Sequence, residues 1–108
     1  MASDLKFIEF IVEQFENLGE IRYRSMFGEY VVYANDKVFA LVCDNKLFIK
    51  PTEAGRSFIG TPVEAPPYPG ARNSFLIEEK LEDRDWLCEL VRRSLPELPL
   101  PKPRKKKR

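Results

Sequence analysis

The chain has 108 residues, enough for one domain with a substantial core, and it carries 18 Lys and Arg against 17 Asp and Glu. It contains no histidine, so the commonest general base and the commonest metal ligand are missing. No apolar run approaches the roughly 20 residues of a membrane-spanning helix, so we predict a cytoplasmic protein that makes no membrane contact.

The balanced net charge conceals an acidic domain with a basic tail. Residues 1–101 hold twelve basic and seventeen acidic side chains. The other six basic residues are Lys102, Arg104, Lys105, Lys106, Lys107 and Arg108. From position 97 the chain is proline-rich and then basic, with no periodicity that could bury a face. We therefore predict one domain over residues 1–96 and a disordered tail over 97–108.

The amino-terminal segment is predicted to be an amphipathic helix that starts at Asp4 and is ended by Gly19. Its apolar residues recur at three- and four-residue spacing, at Leu5, Ile8, Ile11, Val12, Phe15 and Leu18. Phe10 lies off this stripe, on the face that carries Lys6 and Glu13. We interpret Phe10 either as an incidental exposed aromatic or as part of a contact surface for a partner.

Four short antiparallel strands are predicted next, over residues 21–26, 30–34, 38–43 and 47–50. The runs are rich in β-branched and aromatic residues, and polar turns at 35–37 and 44–46 separate the last three. Met26, Phe27 and Gly28 link the first two strands. Gly28 suits a positive φ or a bulge; alternatively it lets a partner approach closely, with Glu29 and Tyr30 as polar handles.

The central hairpin of this meander is apolar on both faces. In the second strand of this hairpin Val38, Ala40 and Val42 are predicted on one face, and Phe39, Leu41 and Cys43 on the other. Three helices, one of them very short, do not obviously cover two apolar faces. The sequence leaves two arrangements open: a homodimer that buries the second face, or helices on both sides of the sheet.

The second half of the chain supplies two helices and one more strand. Thr52 can cap a short helix over 53–59 that Gly60 ends, and four prolines make residues 61–72 a surface loop. A fifth strand is predicted over 73–79, and Glu82 or Asp83 can cap a last helix over 84–95. The order α-β4-α-β-α predicts an α+β fold, an antiparallel five-stranded sheet with helices before, between and after the strands.

Several segments together resemble the amino-terminal domain of the TfoX/Sxy family. They are RSMFGEY at 24–30, VFALVCDNKLFIKPT at 38–52, PYPGAR at 67–72 and the closing helix over 83–95. The resemblance covers about residues 3–95. It implies a compact α+β fold of the secretion-chaperone-like kind and a part in regulating natural competence for DNA uptake. It brings no catalytic residues with it.

We therefore expect a non-enzymatic regulatory domain that binds a protein partner, with no cofactor and no metal. The candidate partner or ligand surface consists of Phe10, Arg24, Met26, Phe27, Gly28, Glu29, Tyr30 and Lys50. The alternative is a protein tethered to DNA or RNA, weakly and without sequence preference, by the six cations of the tail. An acidic cluster over 78–85 is explained by a strand end and a helix first turn. Cys43 and Cys88 are expected to be buried reduced thiols.

Overall fold

The computed structural model describes residues 4–26 and 29–98, and of Met26 it describes the backbone only. Helix α1 spans Leu5–Gln14 and is followed by a 3₁₀ turn at Glu16–Leu18. The meander consists of β1 (Ile21–Met26), β2 (Glu29–Ala34), β3 (Lys37–Cys43) and β4 (Lys46–Ile49). Then come α2 (Glu53–Ile59), β5 (Glu64–Ala65), β6 (Ser74–Ile77), α3 (Arg84–Ser94) and a 3₁₀ turn at Leu95–Glu97. The predicted α+β class and element order are confirmed.

The sheet has six antiparallel strands in the order β1-β2-β3-β4-β6-β5, one more than predicted. The additional strand, β5, lies inside the proline-rich loop. Its residues Glu64 and Ala65 pair with Phe75 and Ser74 of β6, and the N–H of Leu76 donates to the carbonyl of Val63 at 2.8 Å. A two-residue strand of this kind leaves no apolar periodicity from which it could be predicted.

Both hairpin turns are two residues long and left-handed. Asn35 and Asp36 have φ of 50° and 72°, and Asp44 and Asn45 have φ of 54° and 57°. Asn and Asp tolerate this region better than other side chains, and two successive positive φ values match the twist of the flanking strands. The predicted turns are therefore confirmed, each one residue shorter than expected.

All three helices pack on one face of the sheet, which we call the inner face. The core joins Ile8 and Ile11 of α1 and Leu87, Leu90 and Val91 of α3 to buried strand residues. These are Val32, Ala34, Phe39, Ala40, Val42, Leu47, Ile49, Phe75 and Ile77. Helix α2 joins the same side, with Phe58 and Ile59 packed against the core. The sequence left open whether the helices lie on both sides of the sheet. That arrangement is wrong for the described residues, because α1, α2 and α3 all lie on the inner face.

Two details of α1 differ from the periodicity prediction. Leu5, expected in the buried stripe, is 51% exposed. Phe10, expected on the solvent side, is half-buried against the core, and its ring lies 6.5 Å from that of Phe7. The α-helix ends at Gln14, whereas the periodic pattern continues to Leu18, so the last turn is a 3₁₀ turn with its own orientation.

The folded part continues to Leu98. The sequence places the domain boundary after Pro96, yet Glu97 and Leu98 contact the domain: Leu98 is 7% exposed and joins the core. Both carboxylate oxygens of Glu97 accept hydrogen bonds from backbone N–H groups of α2, those of Glu53 and Ala54, each at 2.8 Å. The tail cations at 102–108 lie outside the described residues.

Candidate interaction surface

The face of the sheet opposite the helices, the outer face, carries a continuous apolar row. Cross-strand pairing sets Val31 opposite Leu41, Leu41 opposite Phe48, and Phe48 opposite Leu76. Val31, Leu41 and Leu76 are half-buried and do not belong to the core cluster that the described helices form with the sheet. Apolar side chains on a sheet surface are normally covered, so this row marks the outer face as a candidate contact surface.

A β-bulge at Phe39 decides which side chains of β3 reach that face. Val32 pairs with Ala40 and Tyr33 pairs with Val38, so Phe39 is the extra residue between them. The bulge puts both Phe39 and Ala40 in the core, and Val38 stays on the outer face with Leu41. The sequence predicted Val38 on the same face as Ala40, and Phe39 on the same face as Leu41. Both predictions are wrong, because Val38 lies on the outer face and Phe39 in the core.

The proline-rich loop covers one part of the outer face. Pro66, Pro67 and Tyr68 line a cleft together with Cys43 and Phe48, and Phe48 is only 4% exposed. Four prolines restrict the backbone of the loop and remove four N–H donors that would otherwise need partners. The loop can therefore lie flat on a sheet surface. Tyr68, at its tip, remains 56% exposed.

Between this loop and β3 lies a groove of about 530 Å³, which we call the loop groove. It is lined by Val38, Leu41, Lys50, Pro51, Pro67, Tyr68, Ala71, Arg72, Asn73, Ser74, Glu97 and Leu98. Its volume lies within the range of roughly 300–1,000 Å³ that is usual for ligand sites. Lys50 is half-buried and Arg72 is exposed, and neither forms an ion pair with any described residue.

The candidate residues named from the sequence do not form one patch. Lys50 lines the loop groove, and Arg24 lies on the outer face opposite Val31 of the apolar row. Tyr30 points to the inner side, where its ring meets Tyr23 edge-on at 5.6 Å. Phe10 is half-buried and packs against the edge of the core. Phe27, Gly28 and the side chain of Met26 lie outside the described residues.

The side chain of Glu29 stabilises the turn between β3 and β4. One of its carboxylate oxygens accepts a hydrogen bond from the backbone N–H of Asp44 at 3.1 Å, which ties the start of β2 to the β3–β4 turn. The negative charges of Glu29 and Asp44, after burial as the main cause, raise the pKa of the Cys43 thiol to about 11. Cys43 is thus a neutral buried thiol at physiological pH rather than a nucleophile.

The remaining reactive side chains have structural partners. Cys88 donates a hydrogen bond to the carbonyl of Gln14 at 3.2 Å, and burial raises the pKa of its thiol. Asp83 caps α3 by accepting from the N–H of Trp86 at 3.1 Å, as predicted for this acidic cluster. Within residues 4–26 and 29–98, no His, Cys, Asp or Glu side chains form a group that could hold a metal ion.

Sequence reasoning placed Tyr68 and Arg72 in a surface loop but did not include them in the candidate partner surface. The position of this loop over β3 and β4 depends on residues that are distant in the sequence, such as Leu41 and Cys43. One signal was present: Tyr68 is the single aromatic among four prolines. An aromatic side chain in an otherwise rigid surface loop is a frequent contact residue.

Among the described residues, no helix has the length and apolarity needed to cross a membrane. A family model described as the TfoX N-terminal domain matches residues 13–98. A protein of Spirochaeta aurantia, named "Uncharacterized 12.7 kDa protein in trpE 5'region", is 39% identical over 107 residues, which are 99% of this chain and 93% of that protein. Protein Sxy of Escherichia coli (strain K12) is 39% identical over 46 residues, 43% of this chain and 22% of Sxy.

Proposed function

The chain belongs to the TfoX N-terminal domain family, and we propose that it is a regulatory domain that acts by binding a protein partner and catalyses no reaction. The observation that carries this proposal is the outer face, where Val31, Leu41 and Leu76 form a half-buried apolar row outside the core cluster of the described residues. A sheet surface of this kind is stabilised further when a second surface removes it from water.

The chemistry of the described side chains supports binding over catalysis. Burial raises the pKa of both thiols, the chain has no histidine, and the Asp83 carboxylate caps α3. A general base or nucleophile needs a pKa matched to its task and a partner group beside it. The match to Sxy supports a regulatory role, and control of competence is the process we propose for it.

The test is site-specific photocrosslinking in the host cell. A benzophenone amino acid replaces Leu41 on the outer face in one variant and Glu9, an exposed residue of α1, in a matched control. We expect the Leu41 variant to yield a discrete adduct with another protein, identified by mass spectrometry, and the Glu9 variant to yield none. Equal labelling at both positions, or none at Leu41, would contradict the proposal.

A second candidate function rests on the tail. Six cations within residues 102–108 can neutralise about five or six phosphates, which gives a log–log salt slope near −5 with little sequence preference. We compare the full chain with a chain that ends at Leu100 for binding to duplex DNA and single-stranded RNA over a series of salt concentrations. Steep salt dependence in the full chain alone supports a nucleic-acid tether, and no binding by either chain at physiological salt rejects it.

A further inference from the structure

The loop groove joins an apolar floor to two unpaired cations. Val38 and Leu41 of β3 form one side, and Pro67 and Ala71 of the proline-rich loop form the other. Lys50 and Arg72 stand at the same groove without an ion-pair partner among the described residues. In an acidic domain, two basic side chains left unpaired beside an apolar surface point to a negatively charged ligand.

We propose that the loop groove binds an acidic segment of a partner protein, in which an apolar side chain enters the groove and flanking carboxylates pair with Lys50 and Arg72. This inference rests on the proposed function and names the chemistry of its partner. The apolar side chain of the partner contacts Leu41, Val38 and Pro67. Tyr68, 56% exposed at the rim, supplies a rigid aromatic contact that loses little conformational entropy on binding.

Glu97 also lines the groove but does not neutralise these cations directly. Its two carboxylate oxygens are occupied by the N–H groups of Glu53 and Ala54, at 2.8 Å each. Glu97 thereby faces α2, and no ion pair joins it to Lys50 or Arg72. A carboxylate from outside the domain therefore meets two cations without an ion-pair partner among the described residues, beside a carboxylate whose oxygens each already accept one backbone hydrogen bond.

The lining favours a peptide over nucleic acid and over a second copy of the chain. Single-stranded nucleic acid is bound through successive aromatic platforms for its bases, and among the described residues Tyr68 is the only aromatic that lines the groove. Two copies packed through this face would place four cations, Lys50 and Arg72 of each copy, in one interface, which is electrostatically unfavourable. Six cations follow Leu98 in the sequence, and their positive charge disfavours binding of that segment beside Lys50 and Arg72.

The experiment is selection from a phage-displayed library of random 12-residue peptides on three forms of the full chain. The first is the unchanged protein, the second is Lys50→Glu with Arg72→Glu, and the third is Lys6→Glu with Arg84→Glu. The third is the matched control, since Lys6 and Arg84 are exposed cations on α1 and α3 and the net charge changes equally. Circular dichroism and urea unfolding establish that all three forms fold.

We expect the unchanged protein and the Lys6/Arg84 control to enrich peptides with an apolar residue between acidic residues. The Lys50/Arg72 variant loses this preference and turns to basic peptides. For a synthetic copy of the best peptide, Tyr68→Ala raises the Kd about tenfold by fluorescence anisotropy, a typical loss for a central aromatic contact. Binding weakens as salt rises, because the ion pairs at the rim are screened.

Three results would overturn the inference. The first is enrichment without acidic residues, or none at all. The second is binding of a 20-nucleotide oligothymidine that the Lys50/Arg72 reversal abolishes, which would make the groove a nucleic-acid site. The third is a dimer mass in light scattering that the same reversal converts to a monomer. A Leu41 photoadduct obtained together with any of these keeps the proposed function and removes only the acidic-segment inference.

Discussion

Gly55 of α2 approaches Ser94 of α3 so closely that a β-carbon on Gly55 would lie 2.9 Å from the Ser94 hydroxyl oxygen. The same β-carbon would lie 2.7 Å from Oγ1 of Thr52 and 3.1 Å from the ring of Phe75. The hydroxyls of Thr52 and Ser94 are hydrogen-bonded to each other at 2.9 Å, and Oγ1 of Thr52 accepts the N–H of Gly55. Gly55 lowers the intrinsic stability of α2, but its lack of a side chain allows α2 to pack closely against α3 and Phe75.

Gly55→Ala tests this contact. Alanine is the better helix former by about 1 kcal/mol, but the added methyl group must displace buried atoms, which costs about 1–3 kcal/mol. We expect a net loss of unfolding free energy in urea. A double-mutant cycle with Ser94→Ala, which removes one of the crowded atoms, should recover part of the loss. A more stable Gly55→Ala protein would show that α2 and α3 are not so tightly packed.

Glu97→Ala should destabilise the domain by about 1–2 kcal/mol, because the carboxylate satisfies two of the N–H groups at the start of α2. Urea unfolding measures the effect. Glu9→Ala is the matched control, since it removes an exposed carboxylate from α1 and should change stability by less than about 0.5 kcal/mol. Equal effects at the two positions would place Glu97 in the tail rather than in the domain.

Phe39→Ala should cost about 3–5 kcal/mol, whereas Val38→Ala should cost roughly 1 kcal/mol. The bulge buries Phe39 completely, with its ring edge-on to Phe15 at 4.9 Å, and leaves Val38 half-buried on the outer face. Chemical denaturation compares the two variants. Phe39→Leu provides a milder substitution if Phe39→Ala does not fold, and it too should be more destabilising than Val38→Ala.

Cys43 should react slowly with iodoacetamide in the folded protein. Its pKa of about 11, against an ordinary value of 9.0, leaves about 100-fold less thiolate at pH 8. Because the folded-state pKa is raised, the folded protein holds the Cys43 proton more tightly than the unfolded chain does. This difference contributes to the free energy of unfolding fully below pH 9, and the contribution is lost as pH rises through about 11.

Peptide mapping by mass spectrometry follows alkylation of Cys43 from pH 7 to pH 10, with the urea-unfolded chain as the reference. Cys43 in the folded protein should be modified far more slowly than in the unfolded chain throughout this range. Equal rates in the folded and unfolded protein at pH 8 would mean that the thiol is exposed and unperturbed.

The sequence by itself determined the class of fold, because the signals involved are local. Asn35, Asp36, Asp44 and Asn45 adopt positive φ through their own side-chain chemistry, and the apolar spacing in α3 depends only on helix periodicity. Strands joined by short connections pair with their neighbours in the sequence, so β1 to β4 lie side by side in the predicted order.

Only the tertiary structure decided which side chains share the candidate surface. The bulge at Phe39 arises where the β2–β3 register must satisfy both the turn and the core, a competition that involves residues on two strands. Tyr68 and Arg72 join Lys50 because the proline-rich loop lies over β4, and Glu97 reaches α2 from 43 residues along the chain. Long-range contacts of this kind depend on the free energy of the whole packed domain. They therefore cannot be predicted from any one segment of the sequence.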